Sequence, residues 1–573
     1  MKYLFNIAVC CFFSFTCFSQ GKKQVIQKHI SRVDQMPDLP RPLHVIDYRQ
    51  LALRFDSTVF DFNATDSCWP LVWKDSSGRN FPQPVVGLYT AIGDVRQGPT
   101  NNKGMFHEAV ATMGSVLGAS LVDIDKTNRQ GLNYVSMLKN YFNKDAGWNI
   151  MMNNTCPQVG MLGGGYGRDW WYDVFPNVLF YAIYDKYPHE PGLDTLARSI
   201  AEKFCRADSV LQGNYEYSFF DYARMIPVKS SLCVQPDAAA GQAWVLYAAY
   251  KKFGDSRYLK AAVNALRSLG KVKFNPNYEV LMPFAAYLAA RMNAELGENF
   301  NLQKMLDWTF DGTAACREGW GVLVGNWNGI DISGIVGSTT DHGGYGFLMN
   351  TYDAALPLLP IVRYNKAYAA AIGKWMLNAA NACRFFYPQY MPKEHQTIPH
   401  LAHIARGVIG YEGIIHTSGY SQYAGLLAPV AQGDGPQWVP GKNPEVSQLS
   451  VYGSAHAGIF GSIIHNTNVA GILQLDLLAT DFFHDEAYPT CLLYNPYNES
   501  REVELLLGNG KKLDLYNTIS EAYMAHGVSG ATRVRLSPRQ AVVLVCVPSG
   551  GKTTYSGSKM LVNGIVVDYN FHK

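Results

Sequence analysis

Five short stretches of the chain place carboxylates among glycines and aromatic residues, at or just before an apolar helical pattern. In "GGGYGRDWWYD", Asp169 and Asp173 follow a glycine run that lets the backbone approach a ligand closely. Arg168 can grip a carboxylate with its two-pronged donor, and Trp170 and Trp171 can stack on a flat ring. The competing reading makes Asp169 a helix cap and turns both tryptophans inward. In "FNPNYEVLMPFAAYLAARMNAEL", Glu279 stands in the first turn of a long apolar helix, where an acid also simply suits the helix dipole. "ACREGWGVLVGNWNGIDISG" sets Glu318 between Arg317 and Gly319-Trp320, ahead of a long Gly/Trp/Asn loop that ends at Asp331. "GSTTDHGGYGFLMNTYDAA" puts Asp341 and His342 before Gly343, Gly344 and Tyr345. A neighbouring acid and imidazole at a glycine hinge is acid–base equipment, or else a capping acid beside a surface imidazole. "GVIGYEGIIHTSGYSQYAG" gathers Glu412, His416, Tyr420 and Tyr423 in one polar-aromatic loop.

Acids in such number suit glycosidic bond cleavage. One carboxylic acid protonates the leaving oxygen, and a second carboxylate activates water across about 6.5–9.5 Å or attacks directly from about 5–5.5 Å. Asp341 and Asp169 lead this set, with Glu318, Glu279 and Glu412 behind them. Arg168, Trp170, Trp171, His342, Tyr345, Trp320 and Tyr420 are the expected substrate-binding residues. An eliminating lyase needs instead a Tyr or His base and a group that neutralises a uronic carboxylate. His342, Tyr345, Asn350 and Arg168 would serve that chemistry.

Other chemistries find less support. The chain contains no HExxH, EF-hand loop, P-loop or GxSxG. "GGGYG" lacks the Lys-Ser/Thr of a phosphate loop, and His484, Asp485 and Glu486 are adjacent and therefore point in different directions. No metal and no cofactor are expected. A Cys/His mechanism through the loop residues Cys156 and Cys233 is a minor alternative.

The elements that must position these residues read as paired helices from about 104 to 487. The clearest pair is "DAAAGQAWVLYAAYKKFGDSRYLKAAVNALRSLG", where Asp237 can cap the first helix, Gly254 stops it, and Asp255 or Ser256 caps the second. Similar pairs are predicted at 106–118 with 131–143, 170–187 with 192–210, 278–297 with 301–309, and 345–360 with 367–386. A weaker sixth pair spans about 400–463. Six hairpins of irregular pitch are what an (α/α)6 toroid needs. Residues 20–103, broken by "DLPRPL" and "NFPQP", are expected to be an irregular lead. After about 488 the period changes to short alternating runs such as "QAVVLVCVP", and Asn563-Gly564 is a hairpin signal. A small β-sandwich is predicted over 488–573.

An exported toroid of this kind, with its Gly/aromatic/acid loops and a C-terminal β-domain, resembles the six-hairpin glycosidase superfamily of carbohydrate-active enzymes. The resemblance covers about residues 100–550 and implies a mainly α fold, a carbohydrate substrate and glycoside hydrolysis, with polysaccharide lyase chemistry or non-catalytic glycan binding as alternatives. It carries over no catalytic residue position by position.

Composition agrees with a globular chain: 573 residues, 48% hydrophobic, 17% charged. Aromatic residues make up 13%, an excess that lines ring-binding clefts or fills an aromatic core. The formal net charge of +3, with no Lys/Arg run, gives no stripe for nucleic acid. "MKYLFNIAVCCFFSFTCFSQ" reads as a signal peptide cleaved after Ser19, with lipid attachment at Cys17 as the weaker reading because "SFT" fits a lipobox poorly. Export to the periplasm or the medium is therefore expected. No later apolar run reaches the ~20 residues of a membrane span. Eight of the eleven cysteines follow the leader, widely spaced, so one or two disulfides are expected with pairing open. Oligomeric state is not legible.

Overall fold

The structure is a computed structural model that describes residues 25–66, 69–90, 108–155, 169–312, 316, 319–417, 425–433, 451–507 and 510–572. Two kinds of helix alternate along it. Helices α1 (Tyr48–Val59), α2 (Ala109–Leu121), α3 (Tyr134–Met137, continued by a 3-10 turn), α4 (Trp170–Lys186), α5 (Leu193–Leu211) and α6 (Ala238–Phe253) come first. They are followed by α7 (Ser256–Lys271), α8 (Met282–Leu296), α9 (Leu302–Asp311), α10 (Leu348–Leu358), α11 (Ala369–Ala382) and α12 (Ala457–Ile463).

Sequence pattern separates the two kinds. Every residue of α2, α10 and α12 is buried, as are the first 15 residues of α4 and the first 11 of α8. A helix apolar on all sides must be enclosed. By contrast, α5 and α7 bury only a stripe, such as Leu193, Leu196, Ile200, Phe204 and Leu211 on α5. The enclosed helices pack in sequence, α2 on α4, α4 on α6, α6 on α8, α8 on α10 and α10 on α12, and α12 packs back on α2 to close a ring. Outside it, α5, α7 and α9 each pair with a neighbouring inner helix.

Closure of the ring corrects two expectations. The stretch 20–103, read as irregular, contains α1, which packs on α12 and α2. Over 400–463, the expected sixth hairpin, the described residues hold a 3-10 segment, two strands and only the seven-residue α12. The outer partner of α12 is thus α1, from the other end of the chain. Glycine makes the neighbouring crossing of α12 on α2 close: a Cβ on Gly458 would lie 2.3 Å from the Gly118 backbone.

Strands β1 (Trp320–Val322), β2 (Val336–Ser338), β3 (Tyr345–Phe347), β4 (Gly413–Ile415) and β5 (Val430–Gln432) form an antiparallel sheet in the order β5-β4-β3-β2-β1. Strand β3 runs directly into α10, so the start of that predicted helix is extended.

The C-terminal region holds β6 (Ile464–Asn466), β7 (Leu473–Asp476), β8 (Thr490–Tyr494), β9 (Arg501–Leu506), β10 (Leu513–Asn517), β11 (Ala522–Val528), β12 (Ala531–Leu536) and β13 (Ala541–Pro548). Six of them pair as β6-β7-β8-β13-β10-β11, and β9 pairs with β12. The sheet begins at Ile464, ahead of the period change near 488. Alternation along β8 shows why it holds. Cys491 and Leu493 face a small core with Val503, Leu505, Val534 and Leu536 of the β9–β12 ribbon, whereas Leu492 and Tyr494 join the main helical core. Tyr494 lies against Gly373 of α11, where an added Cβ would meet its Cβ at 2.7 Å.

Candidate functional site

The starts of the six inner helices meet at one end of the ring, and acids collect there. Glu108 precedes α2, Asp169 precedes α4, Asp237 precedes α6 and Glu279 stands three residues before α8; all four are buried. Glu412 is buried beside the start of α10, where its carbonyl accepts from Leu348 N at 3.1 Å. The side chains at this end pair through hydrogen bonds. Asn350, in the first turn of α10, donates from Nδ2 to Glu279 Oε2 at 2.6 Å. Gln235 Nε2 donates to Asp169 Oδ1 at 2.7 Å, and Asn153 Nδ2 to Glu108 Oε2 at 2.9 Å. Tyr278 N donates to Asp237 Oδ2 at 3.1 Å, and Tyr345 Oη to Glu412 Oε1 at 3.4 Å. The hydroxyls of Tyr172 and Tyr452, from α4 and from just before α12, stand 3.5 Å apart.

Electrostatics couple several of these groups. Burial holds the Tyr172 phenol well above its ordinary range, and the charges of Glu108, Glu279 and Asp169 push it further. Tyr452 behaves alike, with burial first, then Tyr172, Glu108 and Glu279. Burial also holds the Asp237 carboxyl well above the usual carboxylate range, and neighbouring Glu279 adds to the rise while the Tyr278 N–H opposes it. The site thus sets Asp237, kept toward its neutral form by burial, among acids that accept from side-chain amides, and environments that differ in this way suit proton transfer.

Backbone conformation singles out two of these acids. Glu279 has φ 58° and Glu108 φ 29°, in the left-handed region that non-glycine residues seldom occupy. Asp169 has an extended backbone at the N-cap of α4, yet its side chain caps nothing and turns to Gln235 instead.

The expected residues fare differently. Asp169, Glu279 and Glu412 belong to this set. Asp341 does not: it sits half-exposed in a 3-10 turn, its carboxylate 3.6 Å from His342 Nε2, and among the described residues no contact joins it to the buried acids. The glycine hinge that made it attractive keeps it at the surface. Trp170 is fully buried, stacked on Tyr215 with its Nε1 donating to Tyr222 Oη, so it packs the core rather than offering a platform. Trp171 is buried too, but stacks on Tyr172 at 3.8 Å and so backs the site. Trp320 is buried edge-on against Tyr278. Tyr345 is half-buried and reaches Glu412. Asp331 organises its own loop by accepting from Ser333 N. Arg168, Glu318 and Tyr420 lie outside the described residues.

The sequence motifs do not single out Glu108, Tyr172 or Tyr452, and they present Asp237 only as a cap. A usable signal was present: each stands within three residues of an inner-helix start or, for Tyr452, five before it. One turn deeper, His456 of the α12 N-terminus pairs with Asp353 of α10 at 2.5 Å and reaches Val110 O at 3.0 Å, all buried.

What the described chain defines is a mainly helical protein with a C-terminal β region and a buried acidic cluster where its inner helices begin. Neither a protein-family model nor a curated protein matches the sequence. Among solved structures it is similar to a GH127 β-L-arabinofuranosidase from Geobacillus stearothermophilus T6, at 10% identity over 91% of this chain and 86% of that one, TM-score 0.33. A glycoside hydrolase matches at 10% identity over 83% and 85%, TM-score 0.30, and a second GH127 β-arabinofuranosidase at 10% over 93% and 84%, TM-score 0.33. Likenesses of that strength fix neither a family nor an activity.

Proposed function

We propose that the protein is a glycoside hydrolase built on an (α/α)6 toroid and that the acids at the inner-helix starts carry its chemistry. The observation behind this reading is that buried acids from four successive inner helices meet: Glu108, Asp169 and Glu279 act on Tyr172, Glu108 and Glu279 also on Tyr452, and Asp237 stands beside Glu279. Glu279, held by the Asn350 amide, is suited to accept a proton from water or to attack, while Asp237, kept toward neutrality by burial, is suited to protonate a leaving oxygen. Asp169 and Glu108 complete the acidic surround. Tyr172 and Tyr452, pushed up by burial, are poor proton acceptors and add no base to the His342 and Tyr345 of the lyase reading.

The test is a glycan panel assayed with Glu279→Gln, Asp237→Asn and Asp169→Asn. Loss of general acid–base catalysis costs about 10²–10⁴-fold in kcat. Full activity in both Glu279→Gln and Asp237→Asn, on a substrate the wild type turns over, would sink the assignment; binding without turnover in the wild type would favour a glycan-binding protein. Export rests on the leader at residues 1–19 and is supported by the Cys233–Cys316 disulfide, a bond that persists in oxidising compartments.

A further inference from the structure

The outer wall carries a second feature, away from the helix starts. Between α5 and α7 runs a groove of about 680 Å³. A hollow of about 330 Å³ adjoins it, shares Gly213 and Lys271 with it, and reaches Pro236, the residue before Asp237. Along α7, Arg257, Lys260, Asn264, Arg267 and Lys271 follow one another at spacings of three and four. That spacing sets them in file on one helix face, about 21 Å long at ~1.5 Å per residue. Arg206 of α5 faces the same groove, and all six side chains are exposed.

Charge there is unbalanced. Five cations line the groove against two carboxylates, Glu202 and Asp208, and the adjoining hollow adds a third, Glu216. Glu202 and Asp255 occupy Arg257, and Glu298 occupies Arg267 at 2.8 Å. Asp208 is turned inward, accepting from Tyr215 Oη at 3.2 Å. Arg206, Lys260 and Lys271 are left with no acidic partner among the described residues. In a chain of 573 residues with net charge +3, three unneutralised cations along one concave track are a local excess.

We propose that this groove binds a segment of an anionic glycan, carboxylated or sulfated, and leads it toward the rim at Pro236. A straight file of cations matches a linear polymer that repeats its charge. A concave track is poorly reached by a planar bilayer, and the larger groove has no aromatic side chain to stack a base. The proposal concerns binding alone and stands whether or not the acidic cluster hydrolyses the polymer.

Affinity electrophoresis of the full mature chain tests it, in gels carrying polygalacturonate, chondroitin sulfate or neutral dextran, with mobility referred to the dextran gel. The wild type is expected to be retarded by at least one polyanion, less so as salt rises. Lys260→Glu/Lys271→Glu should weaken that retention about 10-fold or more, and the neutral Lys260→Gln/Lys271→Gln should weaken it less. Lys511→Glu/Lys512→Glu, the same charge change on the β region, should leave it intact. Melting curves confirm that each variant is folded. No retardation by either polyanion, equal losses in the two Glu variants, or retention only by acidic phospholipid vesicles would overturn the proposal.

Discussion

Glu279 shows what a single residue is asked to do here. It holds a left-handed backbone and a buried place near Asp237, both costs that packing and its hydrogen bond from the Asn350 amide must offset. Beneath it, His456 makes a separate demand. Burial alone would lower its pKa, but the Asp353 carboxylate and the Val110 carbonyl outweigh that and hold it above the ordinary imidazole value. A base raised in the folded state stabilises fully below its unfolded pKa of about 6.5, and that contribution is lost as pH climbs through the folded value. Urea denaturation of the wild type should therefore show a stability component that declines as pH rises above about 6.5. Asp353→Asn should remove that component and cost about 3–5 kcal/mol, because it strands a buried partner. A wild-type pH profile identical to that of Asp353→Asn would show that the pair is not ionic.

At the scale of elements, ring closure depends on small residues where α2 meets α12. Gly114 leaves room for the His456 ring, whose Nε2 would lie 1.8 Å from an added Cβ, and Gly118 meets Gly458 backbone to backbone. Gly458→Ala therefore forces the two helices apart and should cost about 1–3 kcal/mol or more, read as a fall in the denaturation midpoint. Gly270, near the end of α7, has nothing within 4 Å of an added Cβ. Gly270→Ala should accordingly stabilise by about 0.5–1 kcal/mol. If both variants lost stability equally, the close crossing of α2 and α12 would not be what closes the ring.

For the whole molecule, the Cys233–Cys316 bridge ties the loop before α6 to the loop before β1, across 83 residues of sequence. Cys233 lies two residues from Gln235, which holds Asp169, so the bridge also braces the site. Cys233→Ser/Cys316→Ser should lower unfolding free energy by about 2–4 kcal/mol. It should also lower activity more than a distant variant of equal instability would; parallel losses would make the bridge purely a matter of stability. The β region is fastened separately, by Tyr494 against α11 and by Lys366, which is buried between Glu521 and Asp568.

Hydrophobic pattern alone made the helices legible. A helix without a charged residue, such as α2, marks enclosure, and the striped α5 and α7 mark an outer layer, because 3.6-residue periodicity records which face meets water. Alternation did the same for the C-terminal strands, since period 2 is intrinsic to extended backbone. Acids placed at helix starts were likewise readable, and Asp169, Glu279 and Glu412 came from that rule. Only the tertiary structure decided which of these acids share a space. Asp341 and Asp169 look alike in sequence, yet one is half-exposed at a turn and the other is buried beside Gln235. The partner of α12 is α1, some 400 residues away, and the partner of Cys233 is Cys316. Local pattern specifies the faces of an element; which faces meet is settled by packing between segments distant in the chain, and no local pattern contains that.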